Sequence, residues 1–534
     1  MKKIIMLFVL FYVTINMATA QRYFNKLYRF EDSIAVGNFG LVASDTMLYT
    51  TGVTTRPIRV GNRNLFLNVG FFAKFSTNGG NLQQVVKLVN PDTPITNELW
   101  RNTGVLNHKK QIVTIASHRD TFFYQSLLAL DLNGNIVLEK RLYPSSHTGA
   151  TGIDLALSSN CITHDNGYIM GGSQLMSNNN IYATLIKVDS IGHERWRKFI
   201  VDPWYSQQSD RAIIASKIHK ISDNKYYVLM VKGIIGGNYQ TYSVVTMDSL
   251  GNFTGEYTIN PTTSKVVNAT ALTRDSALIV VGNVNDSINP RKVNAYIAKI
   301  KDNQLIWEKS ISAYGFTSVI KVREIANGEL LLAGEQGIRF PRDTSLPQDS
   351  INFAGMLVKL DKNGNFIWGR HYVRGSYHPQ GVPVHRFTNV DIIPSDSSIA
   401  LAGYLEDYRF ASPTYGQFGW LLRVDKYGCL TEGCQLTSLS QPPPQYNVPV
   451  SVFPNPAQDR VTFKLPPFGG IEGGQGKLML FDVSGRLVLQ QSLSPLWGVG
   501  GASIDVSALP NSMYLYKIQF DNGAQAVGKL VVAR

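Results

Sequence analysis

Cysteine is nearly absent from this chain, with three in 534 residues. That count excludes a scaffold built on a disulfide framework. Charge is scarce as well: Asp, Glu, Lys and Arg make up 17%, where soluble proteins carry roughly 25%. The charge present leans basic, Lys+Arg 51 against Asp+Glu 38, for a formal net of +13. It is spread along the chain without Lys/Arg blocks interleaved with aromatics, so nucleic acid is not an expected partner. Past the first twenty residues no apolar run reaches the ~18 residues a spanning helix needs, so no transmembrane helix is expected in the mature form. Enzyme signatures are missing too: there is no G-x-S-x-G elbow and no H-E-x-x-H. No catalytic, cofactor-binding or metal-binding residues are therefore assigned, and no cofactor is expected.

What is present is 44% hydrophobic residues, 11% aromatics and abundant Tyr, Asn, Ser, Thr and Gly. This is the composition of strands and turns rather than exposed helices. The start, MKKIIMLFVLFYVTINMATAQ, has a charged region (Lys2, Lys3), an apolar region (Ile4 to Val13) and a small-x-small site at Ala18-Thr19-Ala20. It reads as a signal peptide over residues 1–20, cleaved between Ala20 and Gln21.

One motif recurs through the middle of the chain. LVKLDKNGNFIW (357–368), SLLALDLNGNIVL (126–138) and LIKVDSIGHERW (185–196) are three of seven copies, whose Asp-equivalent positions are Ser76, Asp131, Asp189, Asp248, Lys301, Asp361 and Asp425. A glycine follows three residues later in six of them; the fifth has Asp302-Asn303-Gln304 instead. Ahead of most copies lies a short apolar run ending in glycine, as in ELLLAG334 and IALAG403. Self-similarity at this period predicts an array of supersecondary units. Each unit reads as four antiparallel strands, with Asp-x-Asn-Gly turning between the last two. Trp196, Trp307 and Trp368, in the strand after the turn, are placed to pack between neighbouring units.

The fold class expected is all-β: a seven-bladed β-propeller over residues 21–434, a Pro-rich linker over 435–447, and a small Ig-like β-sandwich over 448–534. The seventh copy lacks a final strand, and FNKLYRF (24–30) is expected to supply it and close the ring. Cys429 and Cys434 are expected to form a local disulfide worth about 2 kcal/mol or somewhat less. Cys161 is left over.

The C-terminal segment carries VFPNPAQD, LFDVSGRLV, SMYLYKI and a terminal GKLVV in that order. It resembles the type A C-terminal sorting domain of type IX secretion cargo, a system of the Bacteroidota. The matching positions are Pro454, Asn455, Pro456, Asp482, Gly485, Tyr514, Gly528 and Lys529. The resemblance implies handling by the type IX secretion machinery, removal of residues 448–534 by a sortase-type protease, and a product that is secreted or attached to the outer-membrane surface. The repeats themselves resemble exported Bacteroidota β-propellers.

Function beyond export rests on the loops. Trp100, Trp204, Tyr205, Tyr377, Tyr404 and Tyr408 are candidates for stacking on sugar rings, and Arg339, Arg342 and Arg386 for pairing with acidic groups. This suggests a binding module for a surface glycan or a protein. The alternative is a carbohydrate-active hydrolase or lyase working through loop carboxylates such as Glu98, Asp202, Asp210, Asp349, Glu406 and Asp407. His371, His378 and His385 share one stretch, but their spacing matches no ligand pattern. Asp-Ser and Asp-Thr pairs at Ser33, Thr46, Ser276, Ser287 and Ser350 resemble an O-glycosylation signal.

Overall fold

A computed structural model describes residues 22–30, 33, 35–60, 63–88, 105–119, 123–142, 155–176, 181–200, 211–234, 240–259, 265–285, 293–311, 317–338, 352–373, 384–407, 416–431, 434, 451–464, 476–493, 502–520 and 525–534. They form two compact units, Met1–Thr437 and Ser438–Arg534.

In the first unit each Asp-x-x-Gly segment closes a tight turn. Asp131, Asp189, Asp248, Asp361 and Asp425 each accept, on Oδ1, the backbone N–H groups two and four residues ahead, at 2.7–3.1 Å. The glycine N–H then donates to the Asp carbonyl at 3.0 Å in all five. One carboxylate oxygen of each Asp is thus taken up by the backbone it organises, the work of a turn former. In the fifth copy Asp302 and Asn303 have φ +48° and +60°; such a turn replaces the glycine with two residues that tolerate left-handed backbone.

Among the described residues these turns help fold twenty-eight strands into seven antiparallel sets of four. The sixth set is representative: Thr317–Glu324, Leu330–Ile338, Asn352–Leu360 and Phe366–Tyr372. In the seventh, the outer place is filled by Phe24–Tyr28, which pairs with Gly416–Val424.

The apolar side chains show how the sets assemble. Seven clusters each join one set to the next. Leu331 and Leu357 of the sixth, for example, meet Phe387, Leu401 and Trp420 of the seventh. The series closes where Phe24 and Leu421 of the seventh set pack with Leu48 and Phe71 of the first. Intermediate clusters join first to second, second to third and so on without a break. The first unit is a β-propeller, and its core is a circle of interfaces between sheets rather than one central mass.

The repeated tryptophans belong to the same interfaces. A Cβ built on Gly364 would lie 2.8 Å from the Trp307 ring of the preceding set. Gly251 meets Trp196, and Gly428 meets Trp368, in the same way. Glycine at this turn therefore serves two needs: a φ of +76° at Gly364 and a flat seat for the neighbour's indole.

The second unit is a β-sandwich. One sheet holds Ser451–Phe453, Arg460–Lys464 and Ala502–Asp505; the other holds Gly476–Phe481, Leu487–Leu493, Ser512–Phe520 and Gln525–Val532. Val461, Phe463 and Ile504 from the first sheet pack on Leu478, Leu480, Ile518 and Leu530 from the second.

Candidate functional site

Among the described residues the inner strands of six of the seven propeller sets slip in register, five of them opposite a glycine of the second strand and the fourth set's at Ala215/Lys217 across from Met230 and Leu229. Opposite the second-strand glycine the register slips by one residue: at Val267/Ala269 across from Gly282, at Val319/Lys321 across from Gly334, and at Phe387/Asn389 across from Gly403. A Cβ on Gly334 would sit 2.0 Å from the Ser318 carbonyl oxygen, so only glycine lets the bulged strand approach. Bulged residues then reach the next inner strand. Asn268 Nδ2 donates to Val319 O at 2.9 Å, and Thr388 Oγ1 donates to Asn38 O at 2.5 Å. Bulges of this kind re-aim side chains.

Here they aim them into a cavity of about 810 Å³, to which all seven inner strands contribute, through Phe39, Val105, Asn160, Lys217, Asn268, Lys321 and Thr388 among others. Its charged lining is uneven. Glu335 is the one carboxylate among the described lining residues, facing Lys217, Lys220, Lys321 and Arg386 together with His219. Both Glu335 oxygens accept from Arg386, Nε at 2.8 Å and Nη2 at 2.7 Å, and Arg386 Nη1 donates to Tyr404 Oη at 2.6 Å. Lys220 pairs with Asp223 at 2.9 Å. His219 Nε2 lies 2.7 Å from Thr270 Oγ1; burial, then the charges of Lys321 and Lys217, hold its imidazole neutral, with the pKa down to about 3. Burial first, then Lys217 and Arg323, bring Lys321 down to about 7 against the opposing pull of Asp391.

Of the residues the sequence suggested, Arg386 and Tyr404 meet at this cavity, but not as loop residues. They lie within the strands Val384–Ile392 and Ile399–Asp407, in register opposite each other. The ladder continues past Gly403 through Tyr404, Leu405 and Glu406, a mixed polar and apolar stretch in which hydrophobicity does not mark the strand's end. Tyr404 is buried and bonded rather than presented as a stacking platform. Glu406 is also in that strand. Trp100, Trp204, Tyr205, Tyr377, Tyr408, Arg339, Arg342, His378, Glu98, Asp202, Asp210, Asp349, Ser287, Ser350, Ala20 and Gln21 lie outside the described residues, as does the Asp407 side chain. His371 and His385 are engaged separately, with Gln336 Oε1 at 2.6 Å and Phe353 O at 2.9 Å. Among the described residues no three His, Cys, Asp or Glu side chains converge as a metal site. Ser33 is buried, its hydroxyl accepting from Thr54 Oγ1, so it is no exposed glycosylation site; Thr46 is exposed. Cys429 and Cys434 are joined by a disulfide, and Cys161 is free and buried.

Sequence reasoning missed Lys217, His219 and Lys321. Their signal was a polar residue at alternate positions of SKIHK (216–220) and IKVRE (320–324), which also describes a solvated strand face.

In the second unit the segment around Asn455 meets the terminal strand, while the Asp482–Gly485 turn leads into the opposite edge strand. The Asn455 side chain accepts from Val531 N at 2.8 Å and donates to Lys529 O at 3.1 Å, tying the PNPA segment to the terminal strand. Ala457 N donates to Val531 O at 2.7 Å beside it. Both prolines, Pro454 and Pro456, follow cis peptide bonds. Gly528 stands opposite Tyr516, whose ring covers it. Tyr514 is buried and donates to Pro510 O at 2.7 Å, Asp482 and Gly485 form another Asp-x-x-Gly turn, and Lys529 is exposed.

Residues 451–533 match the family model described as the secretion system C-terminal sorting domain. The chain carries a type IX sorting domain. Such a domain implies export through the type IX secretion machinery, and a protein that is secreted or attached at the cell surface. The rest of the chain has no such guide. No curated protein matches.

Solved structures with partial likeness include a subtype N10 neuraminidase-like protein of A/little yellow-shouldered bat/Guatemala/060/2010, at 8% identity and a TM-score of 0.32, covering 58% of this chain and 89% of that one. An acylaminoacyl peptidase of Pyrococcus horikoshii is 10% identical with a TM-score of 0.38, covering 80% and 57%. A puromycin-hydrolysing peptidase of Mycobacterium tuberculosis is 10% identical with a TM-score of 0.36, covering 70% and 59%. The chain thus spans little more than half the length of either peptidase, and at these scores none of the three carries an argument. Among the described residues no helix is long and apolar enough to cross a membrane.

Proposed function

We propose that the first unit is an extracellular or cell-surface binding module that takes a glycan or protein ligand at the cavity framed by its inner strands. The sorting domain delivers it, and a sortase-type protease acting on residues 448–534 leaves the propeller as the mature product. The observation that carries this reading is the cavity itself. Its volume of about 810 Å³ lies within the usual range for ligand sites, and polar and charged side chains share its lining with apolar ones.

A glycan hydrolase would place two carboxylates across such a site. Glu335, the carboxylate found among the described lining residues, has both oxygens held by Arg386. The test is glycan-array binding by the purified chain, with release of reducing sugar followed in the same samples. Binding without release is the expected result. Release would favour the hydrolase, and silence in both would remove the glycan reading and direct attention to protein partners at the cell surface.

A further inference from the structure

We propose that the cavity recognises an oxyanion, the carboxylate, sulfate or phosphate group of a small molecule, and that Lys321 is the residue that binds it. The inference rests on the reading of this cavity as the ligand site and narrows the class of ligand.

Three observations lead there. First, Lys217, Asn268, Thr270, Ser318 and Lys321 come from three consecutive sets, the fourth to sixth, and line one wall of the same cavity. Lys217 and His219 are two residues apart on one strand, so they share a face. Second, the charges do not balance. The carboxylate of the lining, Glu335, is held in a bidentate pair by Arg386, whose charge it already matches. Asp391, the acid whose charge Lys321 feels, is buried and bonded to Arg323 at 2.7 Å and to the Ala43 and Ile392 N–H groups at 2.9 and 2.7 Å. Lys321 itself makes no hydrogen bond or ion pair among the described residues, while keeping part of its surface open to the cavity. Third, the surrounding polar groups include hydroxyls at Thr270 and Ser318, groups that can donate to an oxyanion.

Crowding like charges in a buried wall costs stability and persists where a ligand of opposite charge repays it. The cavity is far larger than a bare ion, so an oxyanion carried on a sugar-sized molecule fills it better than an inorganic one. Lys321 is nearly poised between its two protonation states at neutral pH, so anion binding draws a proton on to it. Affinity should therefore fall as pH rises through about 7. The groups facing it are Lys217 and His219 from the fourth set, Arg323 beside it, and Asp391 from the seventh. Burial keeps His219 neutral and Arg323 is paired with Asp391, so the pH step is that of the lysine.

The experiment is calorimetric titration of the full chain with sulfate, phosphate and glucuronate at about pH 6, at constant ionic strength with chloride as the reference and glucose as the neutral control. At least one oxyanion is expected to bind once per chain, glucuronate more tightly than the inorganic ions, and glucose not at all. Lys321→Met should weaken that binding roughly tenfold or more, and Lys321→Arg should retain it. Bound ligand should also slow acylation of the Lys321 amine, read by peptide mass spectrometry on the unaltered chain, which needs no variant to fold. Absence of oxyanion binding, or binding that Lys321→Met leaves unchanged and that does not protect the amine, would overturn the proposal. If neutral glycans bind on the array while the oxyanions do not, the binding-module reading stands and this inference alone falls. If nothing binds in either assay, this inference and the glycan reading both fall.

Discussion

At the scale of single residues, the repeat motif can be decomposed into separate physical demands. Gly364 meets a left-handed backbone and a neighbouring indole at once, whereas Gly485 in the second unit has φ +83° and nothing within 4 Å of its Cβ position. Gly485→Ala should therefore cost only the conformational term, about 1 kcal/mol. Gly364→Ala should cost roughly 2–4 kcal/mol, because the Trp307 ring must also move. Urea-unfolding midpoints of the two variants test the difference, and equal losses would show that the indole contact is immaterial.

Lys321 makes the opposite prediction. Its folded pKa of about 7 lies below the ordinary lysine value of 10.5, so the unfolded chain binds more protons between those values. Stability should rise with pH across that window, and the penalty is fully present below about 7. Lys321→Met removes the penalty, so the variant should melt at higher temperature than the parent near pH 6 and converge with it toward pH 10. A lower melting temperature at pH 6 would mean that the lysine supports the fold rather than burdening it.

At the scale of elements, the strand Phe24–Tyr28 decides whether the ring is closed. Trp420 Nε1 donates to Asn25 Oδ1 at 2.7 Å, Tyr28 covers Gly419, and Arg22 and Arg423 meet on the Asp396 carboxylate. Burial pulls the Asp396 carboxyl upward, but hydrogen bonds from Ser398 and Arg22 and the charge of Arg423 outweigh it, leaving the pKa at about 2. With the folded value below the unfolded one, this contribution is present above about pH 4 and is lost as pH falls toward 2. Asp396→Asn should lower stability at neutral pH and flatten its decline over that acid window; thermal unfolding at several pH values measures both. An unchanged acid profile would place the acid sensitivity elsewhere.

Elements were also the level at which the sequence was most legible. The Asp-x-x-Gly turn, the glycine-ended second strand and the spare strand near the start each follow from local chemistry. The inner-strand bulges were not legible, because one extra residue leaves no mark on a short alternating run. Without them, Lys217 and Lys321 read as solvent-facing, and Arg386 and Tyr404 read as parts of loops. A site built by seven strands meeting around an axis depends on registers that no single repeat contains.

At the scale of the molecule, the two units have separate cores and separate sequence signatures. The second resembles a known address, and its first and last motifs meet: Asn455 holds the terminal strand through Lys529 O and Val531 N. Asn455→Ala should lower the stability of this unit by about 1–3 kcal/mol, since two backbone groups lose their partner. The two units are expected to do separable jobs, one carrying the address and the other the cavity. Fractionation of cells that possess the type IX machinery tests this most directly, comparing the full chain with one ending at residue 447. The full chain should be found outside the cell or on its surface, with the truncated chain held inside the outer membrane. Equal export of both would contradict the account.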